Sequence, residues 1–281
     1  MLKKLTGKAL IHTILIITSL LSIFPFIWLT STSLKGLGED IFAYPPHLIP
    51  SDFTWANYVD VWHRVNFMGY FWNSVIVAAL TVILNLVLSS LAAYPLARMS
   101  FKGKKFFFFA ILATIMIPFQ AIMLPVYIIT LKLHLIDSVN NVMGYIGLVM
   151  PFAVSAFGIF LMRQAFIKVP KEVEEAAIVD GCNVFQMFTR VVIPMVKPTL
   201  AVLAVFTFIG SWGEFLWPSI MLTKDAMYTL PVGLNNLQGM FSSNWRFIAA
   251  GSIISTIPII VFFLMMQRYF ISGENDGAVK G

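Results

Sequence analysis

Six stretches of this chain run for more than twenty residues with at most one charge each. Ala9–Leu34, Val65–Ala97, Phe106–Leu131, Ser138–Met162 and Phe247–Gln267 contain no Lys, Arg, Asp or Glu, and Pro198–Thr223 contains one carboxylate, Glu214. A bilayer span needs roughly 20 apolar residues. Inside hydrocarbon the backbone has no water to bond, so only helices and closed barrels can cross. Barrel strands are about ten residues long and alternate in polarity, which these runs do not. The expected fold class is therefore an all-α polytopic membrane protein, a single transmembrane domain over 1–281. Its six transmembrane helices are expected at about 9–32, 70–96, 106–131, 139–162, 198–222 and 247–269.

Composition closes the other routes. Charged residues make up 11% of the chain, where soluble domains carry about 25%. The 59% hydrophobic content equally excludes a disordered chain. A single cysteine, Cys182, excludes an internal disulfide, and the four histidines lie far apart. The first run follows Lys3, Lys4 and Lys8. It is too long for a signal-peptide core and no small-residue cleavage site follows, so it is expected to remain as a span.

Six spans put both ends of the chain on one side. That side holds 14 of the 19 basic residues, among them Arg98, Lys102, Lys104, Lys105, Arg163, Lys168, Lys171, Arg190 and Lys197. The positive-inside rule then predicts cytoplasmic termini. The basic balance is thus a topology signal and gives no reason to expect nucleic acid, whose footprint is a basic face on a folded domain.

Two outer loops follow. In Lys35–Arg64, Trp55, Tyr58 and Trp62 recur at helical spacing, which predicts a short helix at the membrane surface, where aromatic rings settle. Lys224–Arg246 is polar and includes Asn235, Asn236 and Gly239.

The longest inner loop, 163–197, carries the strongest local pattern. Pro170 stands where a helix starts, and Glu172, Glu174 and Glu175 fill its first turns, favourable at the positive end of the helix dipole. Gly181 supplies a left-handed stop. The helix should be roughly 15 Å long, with Val173, Ala176, Ala177 and Asp180 on one face. Asn183 and Gln186 have the spacing of a capping box for a second helix. Pro194 is expected to end that helix and Pro198 to open the fifth span. On spacing alone, a plain surface helix between two spans fits equally well.

The residues also match a known pattern. Glu175-Ala176-Ala177, Asp180-Gly181 and Val191-Val192-Ile193-Pro194 resemble the "EAA" loop of ABC importer permeases, and they fall before the penultimate span, as in that family. Phe160-Leu161-Met162-Arg163-Gln164, Ser211-Trp212 with Phe215-Leu216-Trp217-Pro218, and Gln267-Arg268-Tyr269-Phe270 are similar to the carbohydrate, maltose-type subgroup and its shorter six-span subunit. Gly213 departs from the Asn usual after the tryptophan.

The resemblance implies a bacterial cytoplasmic (inner) membrane protein, not an enzyme, with a coupling helix between spans four and five. It implies docking on an ATPase through Glu174, Glu175, Ala176, Ala177, Asp180, Gly181 and Pro194. No Gly-x-x-x-x-Gly-Lys-Ser/Thr loop is present in the sequence. The chain itself is expected to bind no cofactor, and ATP would be bound and hydrolysed by partner subunits. The implied partners are a second, different permease subunit, two ATPase subunits, an extracytoplasmic solute-binding protein and a sugar substrate. Glycerol phosphate or a sugar-like compatible solute is the alternative cargo. Asn235, Asn236 and Gly239 are candidate contacts for the binding protein.

The substrate path should lie where spans are broken or polar. Pro118 and Pro125 each remove a backbone donor, and Gln120 sits between them. Such a kink either lines a cavity or serves packing. Glu214 is a candidate for an outer gate or a subunit interface, with snorkelling to the surface as the rival reading. Asn73 and Asn85 are expected mainly to bond neighbouring helices. A self-contained secondary transporter would need paired intramembrane charges or an inverted repeat, and neither is visible. No His-Glu-x-x-His or Gly-x-Ser-x-Gly motif points to a membrane enzyme.

Overall fold

The computed structural model describes residues 2–136, 141–235, 237 and 244–275. These form helices and connecting turns, and the single β contact among them is an isolated antiparallel bridge between Lys35 and Phe53. Three helices are long and apolar enough to cross a bilayer alone, in α1 (Leu2–Ser33), α3 (Phe67–Arg98) and α14 (Trp245–Asn275). Three further segments pass that test only as bent pairs. The bends are 97° between α4 (Lys104–Thr114) and α5 (Phe119–Lys132), 59° between Val142–Phe152 and α7 (Ala156–Lys168), and 79° between Val184–Met195 and α11 (Lys197–Trp212). Length and composition thus give three spans, or six if each bent pair counts as one.

Three of the six apolar runs are thus bent or interrupted, one of them at Pro118, where the sequence predicts a disturbed helix. Over 106–131 the helix tightens into i→i−3 bonds at Ile115–Ile117, and Pro118 then takes extended backbone at φ −66°, ψ 137°. A proline at a helix start forfeits no bond, because the first N–H groups have no partner there. Pro125 lies inside α5 without breaking it. Over 198–222 the helix stops at Trp212, and Gly213–Phe215 separates it from α12 (Leu216–Met221). Before α7, α6 (Asn141–Val149) passes into a 3-10 turn at Met150–Phe152, and Ser155 caps α7 by accepting the Gly158 N–H at 3.0 Å.

The chain divides into two compact units, Met1–Met68 with Gly233–Ile257 and Gly69–Val232 with Pro258–Gly281. In the first, the loop after α1 is tied back on itself. Gly36 N–H bonds Asp52 O at 2.7 Å, and Thr54 N–H bonds Leu34 O at 2.8 Å. A side chain at Gly36 would strike the Asp52 carboxylate, which would have to swing aside. The predicted surface helix is α2 (Ala56–Arg64), whose Asn57 amide donates to Ser33 O and Lys35 O at 2.9 and 2.8 Å.

Two apolar clusters lie among the described residues of the second unit. One gathers Tyr94, Phe108, Met162, Phe166, Ala177, Phe188, Val192 and Leu203. The other surrounds Trp217 with Val77, Leu148, Val149, Met221 and Met227. The loop 163–197 belongs to the first cluster. It contains α8 (Lys171–Val179), α9 (Val184–Gln186), a π-helical turn at Met187–Val192, and α10 (Ile193–Met195). Pro194 stands in the last turn of the helical segment Val184–Met195, and the chain leaves the helix at Val196, next to where the sequence places its end.

Candidate functional site

The α8 helix is built as its residues dictate. Pro170 precedes it in extended backbone, and Glu172 and Glu174 occupy its first turn. At its end Gly181 adopts φ +82°. Gly181 N–H bonds Ile178 O at 3.0 Å and Cys182 N–H bonds Ala177 O at 2.9 Å, the paired bonds of a Schellman stop. Asn183 and Gln186 form the capping box, with bonds of 2.9 and 3.0 Å.

The predicted common face of α8 divides. Ala177 is buried in the first cluster and Val173 is half-buried, whereas Ala176 and Asp180 are exposed. Glu174 turns inward, its Oε1 lying 2.9 Å from Arg98 Nε. The Arg98 guanidinium also donates to Val169 O. Glu175 is exposed. So are Ile178 and Val179, the latter at 87%, an apolar pair that the sequence reading passed over. A groove of about 740 Å³ beside α8 is lined by Phe101, Lys104, Lys105, Lys171 and Glu175, among others.

A second feature lies within the same unit. A cavity of about 530 Å³ is bordered by two of the bends and by the end of α11. Thr114 and Phe119 flank the Pro118 break, Phe152 and Ser155 the turn before α7, and Ser211 and Glu214 the end of α11. Thr81 and Asn85 of the unbroken α3 complete its polar lining. Cavities that hold small ligands have this size and this mixture of aromatic and hydroxyl or amide groups.

Glu214 accepts the backbone N–H of Trp217 at 3.0 Å, which fixes the start of α12. Asn85 is 2% exposed and donates to Phe152 O at 3.1 Å, so it both packs and lines the cavity. Asn73 only packs, donating to Ala226 O and Tyr228 O at 2.9 and 3.0 Å. Pro118, Gln120 and Pro125 are exposed, and their neighbours Ile117, Phe119 and Ile122 line the cavity in their place. Asn235 is exposed at the end of α13 (Leu230–Asn235). Asn236 and Gly239 lie outside the described residues.

Residues 85–273, which include α8, the capping box and Glu214, match the family described as binding-protein-dependent transport system inner membrane component. The chain belongs to this family. It is a multi-pass permease of a binding-protein-dependent importer. The arabinooligosaccharides transport system permease protein AraQ of Bacillus subtilis (strain 168) is 35% identical over 272 residues, 94% of this chain and 92% of that one. The sn-glycerol-3-phosphate transport system permease protein UgpE of Yersinia enterocolitica is 32% identical over 277 residues, 94% of this chain and 95% of that one. In three dimensions the permease resembles a chain from the crystal structure of a bacterial ABC transporter involved in the import of the acidic polysaccharide alginate. The TM-score is 0.80 at 26% identity, covering 94% of this chain and 96% of that one. Membership decides against a self-contained secondary transporter.

Proposed function

We propose that this permease forms half of the translocation path for a sugar or oligosaccharide and is driven by ATPase subunits that dock on α8. One observation supports the docking most: α8 is anchored to its own chain through Ala177 and Glu174, while Glu175, Ala176, Ile178 and Val179 are left exposed. A helix of nine residues held on one side presents the other to a partner. Gly181 sets its end, and Glu175 and Asp180 supply the charge that a basic residue of the ATPase would meet. Six spans, counting each bent pair as one, together with the basic residues at 98–105 and 163–197, support a reading with both termini and α8 in the cytoplasm.

A second, different permease completes the path, two ATPases close on ATP, and an extracytoplasmic binding protein delivers the solute. Asn235, with Asn236 and Gly239, would meet that binding protein. The cavity among the broken spans, with Glu214 at its edge, is this chain's share of the path. Sugar cargo follows from likeness to AraQ; likeness to UgpE favours glycerol phosphate as the second reading.

The test is recovery and transport of the native complex. Gentle extraction of an N-terminally tagged chain should bring down an ATPase and a second permease, and Glu175→Lys should release the ATPase. Vesicles holding the complex and its binding protein should take up one of a panel of arabino-oligosaccharides, alginate oligosaccharides and sn-glycerol 3-phosphate, with ATP. A chain recovered alone that moves solute without ATP would overturn the reading.

A further inference from the structure

The loop that carries α8 has two joints and one clamp. Pro170 in extended backbone is the joint before the helix, and Gly181 at φ +82° is the joint after it. The clamp is Arg98, the last residue of α3. Its Nε lies 2.9 Å from Glu174 Oε1 as a close ion pair, and the same guanidinium donates to Val169 O, so it holds both the first turn of α8 and the strand of chain entering it.

We propose that Arg98 is a positioning residue for translocation: its clamp on Glu174 and Val169 makes a displacement of α8 move α3 instead of being absorbed by the loop. This rests on the reading that α8 receives the ATPase.

Three observations carry the proposal. First, the ion pair is well shielded, its side chains only 10% and 15% exposed. Such a pair is weakly screened by salt, and removing one partner leaves an uncompensated charge. Second, the surroundings are stiff. Tyr94, one turn before Arg98, packs edge-on against Phe166 and Phe188 at 5.7 and 5.1 Å between ring centroids. Arg163 of α7 donates to Leu96 O at 3.0 Å and lies 4.0 Å from the centre of the Phe108 ring. Packed interiors transmit displacement because they compress little. Third, α3 stays helical from Arg98 through Pro95, which removes one backbone bond, and on past Asn85 and Thr81 in the cavity wall, whereas the other segments around that cavity are interrupted. Asn85 is thirteen residues from Arg98, about 20 Å along a helix. A push at α8 therefore has a continuous helical route to the cavity wall.

The side-chain type matters. Arginine's planar fork reaches a carboxylate and a carbonyl at once, which the point charge of lysine does not reproduce. The sequence reading counted Arg98 only as one of the charges that fix topology.

The experiment uses the assembled importer with its binding protein in vesicles and the best-transported solute of the panel above. The readout is solute taken up per ATP hydrolysed, with recovery of the complex measured alongside. R98A should still assemble and hydrolyse ATP, but solute per ATP should fall roughly tenfold, within the range of about 5–150-fold typical of coupling between two sites. R98K should fall less. R98E should fall at least as far as R98A, and the exchanged pair R98E/E174R should recover much of the loss. An unchanged ratio in R98A with the complex intact would overturn the proposal, as would an exchanged pair no better than R98E. If R98A does not accumulate in the membrane, R98K and the exchanged pair decide the matter on the same ratio. Wild-type vesicles without ATP-driven uptake would overturn the importer reading itself, a different and recognisable failure.

Discussion

The indole N–H of Trp217 donates to the carbonyl of Gly147 across 3.2 Å, and Trp217 is completely buried. This bond ties α12 to α6 at a point where neither helix is long. Trp217→Phe keeps most of the apolar contact but leaves the Gly147 carbonyl without its partner, an expected loss of about 1–3 kcal/mol. Trp217→Ala also opens a cavity and should cost about 3–5 kcal/mol. Thermal unfolding of the purified chain in detergent checks the order of the two. Equal stability of Trp217→Phe and wild type would show that the bond contributes nothing.

Gly147 should be intolerant for a separate reason. An added Cβ would lie 2.7 Å from Met221 Cε and 3.0 Å from the Leu135 carbonyl. Methionine can yield but the backbone oxygen cannot, so Gly147→Ala should lose about 1–3 kcal/mol by overpacking. Gly210→Ala, where nothing lies within 4 Å, should gain up to about 1 kcal/mol, because alanine favours a helix over glycine. The same melting experiment on both variants separates crowding from a general cost of replacing glycine.

Gly181 offers the complementary case. Nothing lies near its missing side chain, yet its φ is +82°. The cost of Gly181→Ala is then purely conformational, about 1–2 kcal/mol, and Gly181→Asn should cost less because asparagine visits this region more readily. Amide exchange along α8 should speed up in the order wild type, Asn, Ala. Exchange at α14 should stay unchanged.

Glu39 predicts a dependence on acid. Burial pushes its carboxyl up, but the backbone N–H of Asp52, the Lys35 ammonium at 3.1 Å and the Ser51 N–H at 2.8 Å outweigh that and hold its pKa at about 2 instead of 4.5. A depressed carboxyl stabilises the loop above its unfolded value and stops doing so as pH falls through the folded one. Loop stability should therefore be full above about pH 4.5 and decline towards pH 2. In chain labelled with fluorotryptophan, the ¹⁹F NMR signal of Trp55, identified as the one a Trp55→Phe variant lacks, should follow this window against pH in wild type and lose it in Glu39→Gln. A transition centred near pH 4.5 in wild type would sink the assignment.

Glu214 can be probed without assuming a role in transport. Its carboxylate accepts the Trp217 N–H at 3.0 Å. Glu214→Gln keeps an acceptor in place and should melt within about 1 kcal/mol of wild type, whereas Glu214→Leu strands that N–H and should lose about 1–3 kcal/mol. If both melt alike, the carboxylate does not organise the start of α12.

Local signals in the sequence translated well where one residue type permits one backbone state. Pro170 and Gly181 bound α8, Asn183 and Gln186 form their reciprocal bonds, and the aromatic spacing at 55–62 marks α2. What was hidden depends on contacts distant in sequence. Hydropathy runs smoothly through 106–131 and through 198–222, so it registers apolar length and misses the turns at Ile115–Pro118 and Gly213–Phe215. The inward turn of Glu174 needs Arg98, seventy-six positions earlier, and no spacing rule reaches that far. Pro118 was legible as a disturbance, but the residues beside it line the cavity, because a proline at a helix start spends its own side chain on shaping the turn.

The π-helical turn at Met187–Val192 has a geometric consequence. It holds an extra residue compared with an α turn, and each residue turns a helix by roughly 100°. Met187, Phe188 and Val192 face the apolar cluster while Arg190 stays outside. The insertion works as a phase shift, setting the azimuth at which the chain arrives at Val196 and enters α11. Deleting one residue here would re-aim everything downstream far more than it would shorten it, and the walls of the membrane cavity supplied by Phe206 and Ser211 would swing with it.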